Sequence, residues 1–284
     1  MNYLHTKVHC YLHKFYLYMH LNEFLMNIAD LRWKFKQHDE LISNGLHHSL
    51  FGDLLSKEKR KHSNNIWNEL PRIVAHTKGC EFSKSTPSNS LNEIFVEKIY
   101  EVPGFIPLNG QTVYDVGASY GDGAIWWSKV HKAKVISFEP LPDIYKILKE
   151  NISLNHVKVD ANNFALGNGS KVHSTRNGNM MGRSTDIKSD TIMTTKLDDL
   201  DVKNMDLLKI DVEGFESDVI AGATKTIKMY KPNIIVETHS FKLKRECHNM
   251  LTNLGYVLSF EGRKVKPRDG WMDSIQNLFY SYSL

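Results

Sequence analysis

Four short stretches of this 284-residue chain carry side chains able to do chemistry. The densest, Asp211-Val212-Glu213-Gly214-Phe215-Glu216, places three carboxylates within six residues. Glu237-Thr238-His239 adds another carboxylate and an imidazole. Such groups can take a proton from a hydroxyl near neutral pH, and histidine is the side chain best suited to it. His239 is therefore the first candidate for a general base, followed by Asp211 and Glu213. Asp211, Glu213 and Glu237 are also a candidate set of oxygen ligands for a divalent cation, which would lower the pKa of a bound hydroxyl. Lys209 precedes them inside an apolar run, where a charge is costly unless paired, so an ion pair with a neighbouring acid is expected. The competing reading is that the acids only complement the start of a helix, worth roughly 0.3–1 kcal/mol each. That reading weighs more for Glu216 than for Asp211.

The other two stretches suit a cofactor. In residues 113–123, Val-Tyr-Asp-Val-Gly-Ala-Ser-Tyr-Gly-Asp-Gly, an apolar strand runs into a turn with glycines at 117, 121 and 123. Glycine reaches backbone angles that other residues avoid, and its missing Cβ lets a ligand lie against backbone N–H groups. Ser119 stands where a dinucleotide fold would place its second glycine, which argues against a pyrophosphate. The turn suits S-adenosylmethionine, with Asp115, Gly117 and Gly121 near its methionine end and Ala118, Tyr120 and Asp122 in the same loop. Glu139-Pro140 ends the next strand, 22 residues beyond Gly117, where a doubly wound fold places an acid for ribose hydroxyls. Asn163 to Ala165 would edge the adenine.

Positioning these groups needs alternating strands and helices. Strands are predicted at 112–116, 134–138, 157–165, 205–210 and 233–236, and helices at 91–101, 124–129, 142–155 and 242–254, with a further helix opening at Glu216. An antiparallel pair, 256–260 and 277–281, closes the sheet. Alternation of this kind implies a mostly parallel sheet with helices on both faces, an α/β Rossmann-like fold. Ile73-Val74-Ala75 reads as a strand. The stretch 168–195 reads as a loop-rich insert at the ligand edge, a candidate lid whose Met180-Met181-Gly182-Arg183-Ser184 would contact substrate.

Residues 1–65 differ in character and read as a helical segment preceding a domain of residues 66–284 with its core at about 104–284. His5, His9 and His13 share a helical face there, more simply a wet face than a metal site. Lys57 to His62 is a short basic run. Net charge is +4, mildly basic, which permits anionic partners without demanding them. The three cysteines are scattered, pointing to a reducing compartment and a cytoplasmic protein. The longest apolar run near the amino end, Phe15 to Met19, falls far short of the roughly 20 residues of a membrane span.

Taken in order, Tyr-Asp-Val-Gly-Ala-x-x-Gly-Asp (114–122), Phe-Glu-Pro (138–140), Asn-x-x-Leu-Asn (151–155), Ala-Leu-Gly (165–167), Leu-Asp-Asp (197–199), Lys-Ile-Asp-Val-Glu-Gly-x-Glu (209–216), Gly-Ala (222–223) and Val-Glu-x-His (236–239) resemble the FkbM family of S-adenosylmethionine-dependent methyltransferases. The resemblance runs from about Glu93 to Phe241. It implies a class I methyltransferase sheet of seven strands and O-methylation of a hydroxyl, commonly on a sugar, glycan or small metabolite. Two rival readings remain: an RNA methyltransferase docking through the basic run, and a cofactor-binding module without catalysis. The small basic excess and the absence of an Asn-Pro-Pro-Tyr-like motif weigh against nucleic acid, and the intact acids weigh against decay.

Overall fold

The first strand, β1 (Thr112–Val116), is buried at all five residues. A run of this kind, apolar on both faces, belongs in the middle of a parallel sheet. In the computed structural model, which describes residues 70–174, 181–182, 190–265 and 275–283, β1 lies between β2 (Lys134–Phe138) and a later strand, Leu207–Ile210, parallel to both. β3 (Val159–Asn162) continues the sheet beyond β2. With β4 (Ala165–Leu166), β5 (Lys171–Ser174), β6 (Met181–Gly182) and β7 (Asp190–Thr195) intervening, Leu207–Ile210 becomes β8, followed by β9 (Asn233–Thr238), β10 (Tyr256–Val265) and β11 (Ile275–Tyr282). The order across the seven-stranded sheet is β10-β11-β9-β8-β1-β2-β3. Only β10 and β11 are antiparallel to their neighbours in it.

Alternate residues of the central strands feed two apolar layers. Val113 and Val135 join Ile125, Trp127, Leu148 and Ile152 on one face. Val116, Leu208 and Ile210 join Val219, Ile220, Ile227, Cys247 and Leu251 on the other. Helices 122–130 and Pro142–Asn155 therefore cover one side, and Glu216–Gly222, Thr224–Tyr230 and Phe241–Asn253 the other. Because the chain winds outward from β1 through β3 and then restarts at β8 on the opposite side, a crevice opens at the carboxyl ends of β1 and β8, where such sheets bind ligands.

Several boundaries differ from those expected. Residues 70–77 are helical, not a strand at 73–75: Ala75 is fully buried in the core, and Arg72 donates to the carbonyls of Phe82, Ser83 and Thr86. That packing overrides the preference of β-branched Ile73 and Val74 for strands. The helix expected at 91–101 spans Ser88–Leu91 and a wider π turn, Asn92–Val96, and stops there. The third strand stops at Asn162, and Ala165–Leu166 instead pairs with β7 in a second sheet of order β4-β7-β5-β6. The insert thus holds an antiparallel pair, β5 with β7. Met180, Arg183 and Ser184 lie outside the described residues, as do the expectations for residues 1–65. Finally, β9 runs on to Thr238 because Asn277 and Gln276 of β11 pair with Glu237 and Thr238.

Candidate active site

Four carboxylates converge on one imidazole at the carboxyl ends of β8 and β9. His239, only 4% exposed, donates from Nδ1 to Glu216 Oε1 at 2.9 Å. Its Nε2 faces Glu213 Oε2 at 3.3 Å, Glu237 Oε1 at 3.6 Å and Asp211 Oδ1 at 3.7 Å. Burial opposes a charge on this ring, but the Glu216 hydrogen bond and the charges of Asp211, Glu216 and Glu213 prevail and raise its pKa to about 10. Burial pushes the carboxyls themselves upward, Glu213 to about 7 and Glu237 to about 8, with Asp211 adding to both and His239 opposing.

The turn after β8 is strained where it delivers these groups. Glu213 has φ 54° and Gly214 φ 114°. A non-glycine residue held in the left-handed region costs roughly 1–2 kcal/mol and persists where surrounding contacts fix it. Here Glu216 Oε1 also accepts from Gly214 N at 2.9 Å, tying the turn to the helix it starts. Glu216 is fully buried, so it braces the imidazole and does not complement a wet helix end.

Lys209 sits one step behind the cluster. Its partner in the β1–β8 register is Asp115, whose Oδ1 lies 3.2 Å from Nζ, with Asp211 Oδ2 at 3.6 Å. The expected ion pair is present. Nζ also donates to the Gly117 carbonyl at 2.7 Å. Burial works against the charge on Lys209, yet Asp115 and Asp211 raise its pKa above the ordinary lysine value. Asp115, at 2% exposure, faces Lys209 beneath the glycine turn.

Above that pair lies the glycine turn. Gly117 has φ +78°, and a Cβ there would stand 1.8 Å from the Asp211 carbonyl oxygen. The cofactor-type turn and the carboxylate cluster are therefore in direct contact. Gly121, φ +83°, would drive a Cβ to 2.3 Å from Leu148 Cδ1. Glu139, buried, accepts from Ser119 N at 3.0 Å and Leu141 N at 2.9 Å, while Asn163 Nδ2 donates to the Glu139 carbonyl at 2.8 Å. Burial raises the Glu139 pKa to about 7 against the pull of those two N–H groups. Burial also raises Asp122, to about 6, against hydrogen bonds from Ser90 and Gly123. Ala118 is buried in the loop, and the Tyr120 carbonyl accepts from Asn151 Nδ2 at 2.8 Å. Gly117, Pro140 and Ala165 share an apolar hollow with Phe138, Phe164 and Val212.

Residues 115–262, more than half of the chain, match the family model described as the methyltransferase FkbM domain. The chain belongs to the FkbM methyltransferase family. Among curated relatives it is similar to methyltransferase sdnD of Sordaria araneosa, 25% identical over 189 residues that cover 51% of this chain and 72% of that one. Similar solved structures include a methyltransferase from Pyrococcus furiosus, at 12% identity with 79% and 99% of the two chains covered and a TM-score of 0.44. Methyltransferase FkbM from Methylobacillus flagellatus KT aligns at 16% identity, covering 76% of this chain and 60% of that one, with a TM-score of 0.42.

Membership in the FkbM family implies S-adenosylmethionine as methyl donor, and the residues present fit it. The Glu139 carboxylate retains acceptor capacity beyond its two N–H partners, and the hollow beside Pro140 and Phe164 is apolar enough for a flat base. Two residues of this FkbM site escaped the sequence reading. Asn277, 8% exposed, lies opposite Glu237 across β11 and β9 and interacts with its carboxylate. Glu93, exposed at the rim, is surrounded by protein and by the charges of Glu237, Asp122 and Asp211, which push its carboxyl up to an extent that water at the rim moderates. A strand register and the π turn Asn92–Val96 bring them in, and neither leaves a local sequence signal.

Proposed function

We propose that this methyltransferase transfers a methyl group from S-adenosylmethionine to a hydroxyl oxygen of a sugar, glycan or small metabolite. The observation that supports the reading is the close packing of Gly117 on the backbone of Asp211, which brings the glycine turn next to the carboxylate cluster. S-adenosylmethionine, when bound, supplies a methyl carbon on a positively charged sulfur; the C–S bond breaks as the C–O bond forms, and the electron pair stays on sulfur.

The residues of the chain do the rest. Glu139 accepts from the ribose hydroxyls, Gly117, Ala118, Tyr120 and Gly121 provide the backbone cradle with Asp122 behind it, and Pro140, Asn163 and Ala165 edge the base. Lys209 and Asp115 hold the turn in shape. Glu213, whose side chain is the most open of the cluster at 40% exposed, takes the acceptor proton, and Asp211 and Glu237 orient the hydroxyl. His239, held through Nδ1 by Glu216, turns its Nε2 toward these carboxylates. Holding the hydroxyl roughly 3–3.5 Å from the methyl carbon removes translational and rotational freedom and supplies much of the acceleration. The concentration of carboxylates at this mouth repels phosphates, which disfavours RNA as acceptor. Among the described residues no helix is long and apolar enough to cross a membrane, and the buried free thiols Cys80 and Cys247 are in keeping with the cytoplasm.

Calorimetric titration with S-adenosylmethionine, native chain against Glu139→Ala, tests the donor site: binding weakened at least about tenfold in the variant is expected, given a buried charge-assisted contact. Absence of binding by the native chain would overturn the reading. Glu213→Gln should keep cofactor affinity and lose transfer to a sugar panel.

A further inference from the structure

At the carboxyl ends of β8 and β9 one imidazole and two carboxylates are gathered as metal ligands usually are. One ligand atom from each of Asp211, Glu237 and His239 lies within 4.8 Å of the other two. His239 Nε2 is 3.6 Å from Glu237 Oε1 and 3.7 Å from Asp211 Oδ1. Ligand atoms sharing an ion at bond lengths of roughly 2.0–2.2 Å stand about 3–3.5 Å apart when adjacent, so small side-chain movements suffice. The other ring nitrogen is already committed: Nδ1 donates to buried Glu216, leaving Nε2 pointed at Glu213, Glu237 and Asp211. A carboxylate on the far nitrogen is the arrangement that fixes the tautomer and orientation of a metal-bound histidine.

A separate observation comes from β11. Asn277 is more than nine-tenths buried, its amide interacts with Glu237, and its Oδ1 has no hydrogen-bond partner among the described residues. A buried amide oxygen left unpartnered beside carboxylates is costly, and it is a hard-oxygen donor of the kind cations accept. The local charge points the same way. Asp115, Asp211, Glu213, Glu216 and Glu237 are answered by Lys209 and His239 among the side chains that contact them.

We propose that Asp211, Glu237 and His239 form a site for one divalent first-row transition cation, with Asn277 Oδ1 beside it and Glu216 positioning His239. One nitrogen and several oxygens favour Mn²⁺-like ions over Ca²⁺. A cation held there would supply Lewis-acid polarisation of an acceptor hydroxyl. This deepens the methyltransferase reading and rests on it for the role of the ion, though not for its binding.

The test uses the full chain, stripped with chelator and titrated with Mn²⁺ in the absence of cofactor and acceptor, free Mn²⁺ being followed by electron paramagnetic resonance. One Mn²⁺ per chain is expected, weakened at least about tenfold in Asp211→Asn and in Glu237→Gln. Glu216→Gln, which touches no ion, should weaken binding about 10–100-fold through His239. Glu139→Ala should bind Mn²⁺ like the native chain while losing cofactor, so failure of the ion site and failure of the donor site are read separately. Circular dichroism confirms that each variant is folded. A folded native chain that leaves millimolar Mn²⁺ free, or binding untouched by both Asp211→Asn and Glu237→Gln, overturns the proposal.

Discussion

Glu139 shows how a single residue combines fold and function. Its carboxylate ties the turn after β1 to the turn after β2 by accepting from Ser119 N and Leu141 N, and burial raises its pKa to about 7. An acid whose pKa is raised on folding binds more protons in the folded than in the unfolded state between the two values. Its contribution to stability is therefore fully present below about 4.5, the ordinary glutamate value, and is lost as pH rises through about 7. Glu139→Gln should remove that slope: denaturant titrations across pH 4.5 to 8 are expected to show the native chain losing on the order of 2–3 kcal/mol relative to the variant. Equal slopes would mean that the carboxyl is solvated and unperturbed. The Lys209–Asp115 pair works differently, because both members are buried and the lysine also holds the Gly117 carbonyl, so it fixes the turn's geometry at every pH near neutrality.

Among the elements, the helix Pro142–Asn155 does more than cover the sheet. Asn151, fully buried, accepts from Ser83 N at 2.8 Å and donates to Thr86 Oγ1 and the Tyr120 carbonyl, also at 2.8 Å. Asn155 accepts from Glu81 N at 2.8 Å and donates to the Glu81 and Asn151 carbonyls. Together they bind the segment 81–86 and the glycine turn to one helix face. Asn151→Ala leaves several buried groups unpaired at about 1–3 kcal/mol each. The expected outcome is a melting temperature lower by roughly 4–10 °C, together with weaker cofactor binding because Tyr120 is released. Unchanged stability would show that water replaces the amide. At the other side of the sheet Gly222 ends its helix against Gly167, where a Cβ would stand 1.8 Å from the carbonyl oxygen. The Gly-Ala pair in the sequence is therefore a packing requirement.

On the scale of the whole unit Leu70–Leu284, the proposed donor and acceptor sites lie at one edge of one sheet, at the ends of β1, β2, β8 and β9. A ligand that binds only the folded state stabilises all of it by mass action, about 2.7 kcal/mol at a concentration one hundred times its dissociation constant. S-adenosylhomocysteine at that level should raise the melting temperature by roughly 5–10 °C in the native chain, and by far less in Glu139→Ala at the same concentration. No shift in the native chain would contradict a preformed donor site. The sequence alone determined the strand order of chemistry: apolar runs ending in Asp115, Glu139, Asp211 and Glu237 declare parallel strands with acids at one edge, because burial on both faces leaves a continuous apolar pattern that local composition reveals. It also determined that Lys209 must be paired, since an unpaired buried charge is prohibitive. Which acid pairs with it, that Asp115 faces inward, that Glu216 braces His239, and that Asn277 joins the cluster were decided by the tertiary structure. Those facts depend on register between strands far apart in the chain, on the turn geometry at Glu213 and Gly214, and on the sum of neighbouring charges, none of which is carried by any local stretch of residues.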